Sequence, residues 1–565
     1  VSGKDFIEQL RERGREQPLA AALGMIGQPA LTYAQLAERV DSVAERLHQS
    51  GFRPGDRMLF SIRPCVDAVL LILGTIAAGG TIVFVDPGVG PELFARRIAL
   101  TRPAWAATES LLYALAGPLQ RAGRRLGLSL PEFAKLPVRH IHSGPRLPGT
   151  PGGSISAQWL LAPNPRPAGP MGEATAVGPH GGRDTAASDR TGSPDEQFAH
   201  AWTPPEQTPH EWLREAPAPV ARPVANPDAE ALIVFTSGTT AAPKAVVHTR
   251  GSLGAGLAAM SGRSSVARGS HLHTEQLMFG LPALMAGARW SMPRYPRFGT
   301  HIDPLRFARS LGAATHAFFT PADLSTVLTA VESGKLRAPG RLREIALGGA
   351  PVTAALLRRA VRALPECEFL AIYGMTEILP VAVVSGAEKL AYQGSGDPLG
   401  APVDGITAHI SGDGELILSG PNLCRGYLGE EPLTEIATGD LARFDGDTLV
   451  LMGRKKDMMI RGKTNIYPGL YEPAIASVAG VRQAVMVGIP DEVGDERIVL
   501  AVVPEPGAGG IEQRLRHELP ALIDISALPD DIVTVAEIPV SGRTRKPDRA
   551  LLRALLADQA ARARL

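Results

Sequence analysis

Phe235-Thr236-Ser237-Gly238-Thr239-Thr240-Ala241-Ala242-Pro243-Lys244 follows directly on the apolar run Ala231-Leu232-Ile233-Val234. Four hydroxyl side chains and a glycine are packed into one short loop. Small residues let backbone N–H groups converge on an anion, hydroxyls add donors, and Lys244 adds a positive charge. The hydroxyls alone would describe a solvated turn between strands. With Pro243-Lys244 attached, the loop reads as a grip for a polyphosphate. Its spacing is not the Gly-x-x-x-x-Gly-Lys-Ser/Thr of a P-loop NTPase, which argues against a Walker-type ATPase.

The rest of the chain sets the frame for that loop. At 565 residues it is too long for one ordinary core, so two or more domains are expected. A hydrophobic share of 44% with 20% charged residues is ordinary for a globular protein. The formal net charge of +1 gives no electrostatic case for nucleic acid or an anionic membrane surface as partner. Cys65, Cys367 and Cys424 are scattered without metal or disulfide spacing, so a reducing cytoplasm is the expected location. No apolar run reaches the ~18 residues that cross a bilayer, and no integral membrane association is expected. The opening Val1–Leu10 reads as the start of an amphipathic helix rather than a signal peptide.

Up to about residue 127, helical and strand patterns alternate. Leu36, Val40, Val43, Ala44 and Leu47 share a helix face, Asp56–Phe60 and Thr81–Val85 read as strands, and Ala68–Ala78 reads as a buried helix. Such alternation predicts a parallel sheet covered by helices. Residues 143–228 are dense in Pro, Gly and Ala, with Trp159-Leu160-Leu161-Ala162, Trp202 and Trp212 as islands. They read as a poorly ordered insertion with one or two short docked pieces, or else as a lid or partner-docking arm. From 229 the α/β pattern returns. After Gly453-Arg454-Lys455-Lys456-Asp457 comes a compact tail with two strands, Ala484–Pro490 and Ile498–Val503, and a helix near 511–518. The expected division is a large domain over 1–455 and a small α+β domain over 456–565.

Further segments carry chemistry. Tyr373-Gly374-Met375-Thr376-Glu377 follows a strand, at the carboxyl edge where open α/β sheets bind ligands. Tyr373 offers a flat face for a purine, Thr376 a hydroxyl for a phosphate, and Glu377 a hard oxygen for Mg²⁺. Thr438-Gly439-Asp440 places a carboxylate at a tight turn, suited to the paired hydroxyls of a ribose or simply to capping that turn. Arg454 adds a fork donor for ribose or phosphate. Gly348-Gly349-Ala350-Pro351 closes a strand as a glycine turn. Near the end stands Ser541-Gly542-Arg543-Thr544-Arg545-Lys546-Pro547-Asp548-Arg549, basic enough to be an ordinary surface tail.

Together these segments resemble the adenylate-forming superfamily of acyl-CoA synthetases, peptide-synthetase adenylation domains and firefly luciferase. That resemblance implies ATP and Mg²⁺ as cofactors. Thr236, Ser237, Gly238, Thr239, Thr240 and Lys244 would hold the phosphates. Gly349, Ala350, Pro351, Tyr373 and Gly374 would line the adenine and acyl pockets, Thr376 would meet the α-phosphate, and Glu377 the metal. Asp440 and Arg454 would take the ribose, Lys456 would be the hinge of a mobile small domain, and Lys546 would be the catalytic cation. Ala241 and Ala245 stand where the family has glycines; each Cβ disfavours positive φ and stiffens the loop. The Ser541-Gly542 pair lies farther from Lys546 than usual, leaving Arg543 and Arg545 as candidate cations in its place. The family's aromatic gate is not visible at the matching positions of His273–Leu281.

The implied reaction is ATP-dependent conversion of a carboxylic acid, a fatty acid in first place, to acyl-AMP with release of pyrophosphate. Transfer to a thiol follows, with CoA as the leading acceptor. Thr464-Asn465-Ile466-Tyr467-Pro468 looks like ordinary acyl-CoA synthetases. Tyr373–Val381 and Asp86-Pro87-Gly88-Val89-Gly90 instead look like the β-lactone synthetases of olefin biosynthesis, which close a 3-hydroxyacyl-AMP on itself. A carrier-protein thiol could also serve as the acceptor. A protein of a different class, a non-catalytic nucleotide-binding platform, would carry much of the same text.

Overall fold

A computed structural model describes residues 5–85, 91–125, 130–163, 225–236, 244–296, 302–461, 464–490, 496–541 and 546–562. Two eight-stranded sheets dominate the large N-terminal part. In the first, the strands run in the order Gly426–Tyr427, Ala245–Thr249, Glu230–Phe235, Thr81–Phe84, Arg57–Ser61, Trp105–Glu109, Arg139–Ser143 and Ile155–Ser156. From Glu230–Phe235 onward the neighbours are parallel; Ala245–Thr249 and Gly426–Tyr427 are antiparallel additions at one edge. In the second, the order is Ile378–Ser385, Glu368–Met375, Glu344–Leu347, His316–Phe319, His271–His273, Arg289–Met292, Ala21–Met25 and Leu31–Thr32. Its six inner strands are parallel and its two edge strands antiparallel.

Continuous apolar runs explain this pattern, because strands of a parallel sheet are covered on both faces. The helix Val66–Ala77 buries every residue from Ala68 to Ala77. A helix apolar all round belongs inside a core, and it shares one with Leu23, Trp290 and Met292 of the second sheet and Met58, Ile82 and Trp105 of the first. The close approach to the helix Tyr33–Gln49 requires glycine at 74, where a Cβ would lie 2.3 Å from Val43 Cγ1. That neighbouring helix opens with a capping box: Thr32 N–H donates to Gln35 Oε1 (2.9 Å), and Gln35 N–H to Thr32 Oγ1 (3.3 Å).

A five-stranded antiparallel sheet follows, in the order Asp397–Gly400, Thr448–Arg454, Ile436–Asp445, Glu415–Ser419 and Thr407–Ile410. Beyond the short turn Lys455–Asp457 lies the smaller α+β domain. It carries the three strands Val481–Pro490, Glu496–Pro504 and Asp531–Thr534 with the helices Pro468–Ile475, Ile511–Leu522 and Arg549–Arg562. The architecture is the expected one: parallel-rich sheets covered by helices, then a small α+β domain.

Two local readings change, and one short piece of the insertion is described. Residues 144–163, assigned above to the insertion, hold the strand Ile155–Ser156 and the helix Ala157–Leu161, which buries Ala157, Leu160 and Leu161. Arg46 fastens this piece by donating to the carbonyl of Ala162 (2.6 Å). Trp202, Trp212 and Asp86–Gly90 lie outside the described residues. Asp440 does not sit at a tight turn but inside the strand Ile436–Asp445, at an irregularity in its pairing with Glu415–Ser419 where Gly439 adopts φ 72°. Tyr373, Gly374 and Met375 belong to the strand itself, and only Thr376 and Glu377 form the turn back to Ile378–Ser385.

Histidines in the second sheet make its stability depend on pH. His273 is fully buried between Ser291 Oγ (2.8 Å) and Ser310 Oγ (3.0 Å), and His271 meets the same Ser291 hydroxyl at 2.7 Å. Burial brings His273 down to about 3, with His271 adding repulsion; burial and then Arg289 bring His271 down to about 4. Both rings fold neutral, so below their ordinary value near 6.5 the unfolded chain binds protons that the folded chain refuses. Stability is therefore expected to fall as pH drops from about 6.5 toward 4. Thermal melts across that range should show a declining midpoint, and His273→Asn should flatten the decline; an unchanged slope in the variant would contradict the assignment.

Candidate active site

The site is built from the carboxyl edges of the two large sheets. Thr236 N–H donates to the carbonyl of Lys244 (3.2 Å), closing the base of the hydroxyl-rich loop between antiparallel strands. Ser237, Gly238, Thr239 and Thr240 lie outside the described residues. Lys244 Nζ stands 4.6 Å from the centre of the Tyr427 ring, a cation–π contact. The Tyr427 hydroxyl in turn donates to Glu377 Oε1 at 3.0 Å. One phenol thus joins the lysine at the base of the hydroxyl-rich loop to the Glu377 carboxylate.

Several ties hold the Thr376-Glu377 turn. His248 Nε2 meets the carbonyl of Thr376 (2.7 Å), and Cys424 N–H donates to the carbonyl of Glu377 (2.7 Å). Glu377 is only 6% exposed. Burial, then the charge of Glu377, pushes the Tyr427 phenol well above its usual range, so it remains a donor.

A second set gathers on Asp440, which is 3% exposed. The Tyr373 hydroxyl donates to Asp440 Oδ2 (2.6 Å), and Arg454 Nε faces Oδ1 at 2.8 Å from the neighbouring strand. Burial, then the charge of Asp440, raises the Tyr373 phenol far above its ordinary value. Arg454 makes an ion pair with Oδ1, yet no described donor completes a hydrogen bond to that buried atom. A buried carboxylate oxygen without a directed donor fits the hydroxyl of a bound ribose. Gly349 holds φ 81° just after the strand Glu344–Leu347, at the crevice wall.

The small domain contributes its own cation. In the hairpin Val540–Ser541 and Lys546–Pro547, Ser541 pairs across from Lys546. Arg543 and Arg545 lie outside the described residues. Lys546 remains solvent-accessible but sits at the crevice, where dehydration first and Arg454 second lower its ammonium, opposed by Asp440. The preceding turn is anchored by Lys455 Nζ on Asp413 Oδ2 (2.6 Å) and Glu415 Oε2 (2.9 Å). Glu415 Oε1 accepts from Gly439 N–H (2.8 Å), next to Asp440.

One crevice of about 2890 Å³ is lined by Thr236, Gly349, Ala350, Pro351, Tyr373, Gly374, Thr376, Asp440, Arg454, Lys456 and Lys546. Glu377 and Lys244 attach to that wall through Thr376 and Tyr427. Among the described residues no cluster of three or more His, Cys, Asp or Glu could hold a metal alone. Glu377 with phosphate oxygens and water would suit Mg²⁺, which keeps several waters. Sequence reasoning missed Tyr427, whose only signal was an aromatic after Gly426. It also missed an aromatic wall: Phe279 and Phe318 stack at 4.1 Å and 24° beside Gly348. Phe279 stands on the helix Leu277–Met285, within the stretch where the sequence shows no family gate.

Comparison with known proteins shows the family and the fold. The family model described as AMP-binding enzyme matches residues 10–428, and that of the AMP-binding enzyme C-terminal domain matches 471–545. A Streptomyces coeruleorubidus protein named fatty acid–[acyl-carrier-protein] ligase ScoC is 29% identical over 374 residues, covering 59% of this chain and 68% of that one. The probable non-canonical nonribosomal peptide synthetase CymA of Salinispora arenicola is 30% identical over 355 residues, or 56% of this chain. The match spans only 4% of that much longer protein. The structure of amide bond synthetase McbA from Marinactinospora thermotolerans superposes with a TM-score of 0.70 at 20% identity, covering 98% of this chain and 99% of that one.

Asp440→Asn should keep the shape but replace one acceptor oxygen with a donor. A lost hydrogen bond to a charged group costs about 1.5–3 kcal/mol, so ATP binding is expected to weaken roughly tenfold to a hundredfold. Calorimetric titration with ATP checks this, and an unchanged dissociation constant would remove Asp440 from the nucleotide site.

Proposed function

This chain belongs to the AMP-binding enzyme family, and on that premise we propose that it joins a carboxylic acid to AMP. ATP is consumed, pyrophosphate is released, and the acyl group passes to a thiol, with CoA in first place. The observation that carries this reading is the meeting of Lys546 with the Tyr373–Asp440–Arg454 set in a single crevice.

Carboxylate attack on ATP brings two anions together, so positioning and charge cancellation supply most of the rate. Tyr373 and Asp440 orient the nucleoside, the carboxylate through the ribose and the phenol ring beside the base. Thr376 and the loop from Thr236 to Lys244 hold the phosphates. Mg²⁺ bound at Glu377 would act as Lewis acid and template for the triphosphate. Lys546 then stands where the incoming carboxylate and the α-phosphate converge. Its partial dehydration strengthens its attraction for both.

In this reading the small domain turns about Lys456 after the first step, withdrawing Lys546 and admitting the thiol. The finer assignment of CoA rests on the Thr464–Pro468 text. The carrier-protein thiol, the acceptor type named for the Streptomyces relative, is the competing choice. ATP–pyrophosphate exchange across a carboxylate panel, followed by CoA or a phosphopantetheinylated carrier protein, tests both steps. Lys546→Ala is expected to lower exchange at least a hundredfold, about 2.7 kcal/mol, while thioester formation from supplied acyl-AMP persists. Equal loss in both half-reactions would contradict the role of Lys546; background exchange with every acid would contradict the function.

A further inference from the structure

A second polar cluster lies along the same crevice, away from the nucleotide residues. Arg63 follows the strand Arg57–Ser61 and wraps Glu109 with its backbone N–H (2.8 Å to Oε1), Nε (2.9 Å to Oε1) and Nη2 (2.7 Å to Oε2). Its Nη1 crosses to the second sheet and donates to the carbonyl of Pro296 (2.7 Å). There the Tyr295 hydroxyl donates to Glu275 Oε2 (2.7 Å). All four side chains stand at or just beyond the carboxyl ends of parallel strands, and all line the crevice.

Strand order places this cluster relative to the nucleotide site. In the first sheet, the Arg63 strand is two strands from the one that ends at Thr236, and the Glu109 strand is three. At ~4.8 Å per strand these are separations of about 10 and 14 Å. In the second sheet, the strand before Glu275 is three positions from the Tyr373 strand, about 14 Å, and the strand before Tyr295 is four, about 19 Å. Both sheets therefore put the ionic cluster at the far end of one corridor. The apolar side chains Phe60, Ile72, Phe84, Leu277, Met278 and Met292 also line this crevice.

We propose that the Arg63–Glu109–Tyr295–Glu275 cluster is the end-stop of the acyl channel, limiting the acid to a hydrocarbon that fits the corridor and favouring a hydroxyl-bearing far end. The proposal rests on the acid-activating reading above. A methyl end pushed onto the cluster strips water from paired charges and returns no hydrogen bond. A hydroxyl there restores what it displaces.

The test uses the full chain and a homologous series of acyl sulfamoyl adenosines, stable mimics of acyl-AMP. Affinity should rise about fourfold per methylene until the tail reaches the cluster, then level or fall. At that length an ω-hydroxyl analogue should bind at least as tightly as its methyl counterpart. The double variant Arg63→Met with Glu109→Gln, checked for an intact melting transition, should move the break to longer chains without changing ATP affinity. Affinity that climbs steadily through the longest analogue in the natural chain would overturn the proposal. A break unmoved in the folded double variant would do the same. Failure of every analogue to bind while ATP binds is a separate result: it would overturn acid activation, and this proposal with it.

Discussion

The phenol of Tyr427 is the contact on which the site depends. Its ring faces the ammonium of Lys244 and its hydroxyl donates to Glu377, so it spans the two sheets that the site needs together. The short strand Gly426–Tyr427 sets this reach by pairing antiparallel with Ala245–Thr249, Tyr427 opposite Val246. His248, from that same strand, adds a second tie through the carbonyl of Thr376. A loop rich in small residues gains little rigidity from its own packing. Its anchoring must come from the strands at its base and from what those strands touch.

Charges around Asp440 in the crevice are arranged in opposition rather than dispersed. Asp440 sits between Arg454 and Lys546, with the Tyr373 hydroxyl on its other oxygen. A buried carboxylate is tolerated only when paired and hydrogen-bonded, and here one of its oxygens is left with an ion pair but no directed donor. That arrangement holds an acceptor ready for a ligand. Glu415 ties it to the domain boundary, accepting from Gly439 N–H and from Lys455. On the far side, Arg549 grips Glu472 at 2.6 and 2.7 Å and reaches Asp457 at 3.4 Å. The turn that holds Lys456 is thus fixed to both domains by residues on either side of it.

Much of this was legible in the residues because it is local. The apolar strands, the hydroxyl-rich loop and the Tyr373–Glu377 pentapeptide each declare themselves within ten positions. Thr-Gly-Asp is turn-like text, which is why Asp440 reads as a turn residue, whereas a glycine with positive φ can also mark a strand irregularity. Leu160 and Leu161 looked like islands because their cover comes from the helix Tyr33–Gln49, more than a hundred residues earlier. Tyr427, the Phe279–Phe318 stack and the Arg63–Pro296 bridge all join segments distant in sequence. No periodicity or spacing announces such contacts; they follow only once strand order is known.

In the proposed reaction, Lys244 and Glu377 act on one triphosphate. A double-mutant cycle on Mg·ATP affinity, with Lys244→Ala, Glu377→Ala and both together, tests that claim most directly. Groups that share one ligand should be non-additive, with a coupling of at least about 0.5 kcal/mol and as much as about 3. Strict additivity of the two losses would show that the loop and the turn serve different ligands, and the common nucleotide site would fall.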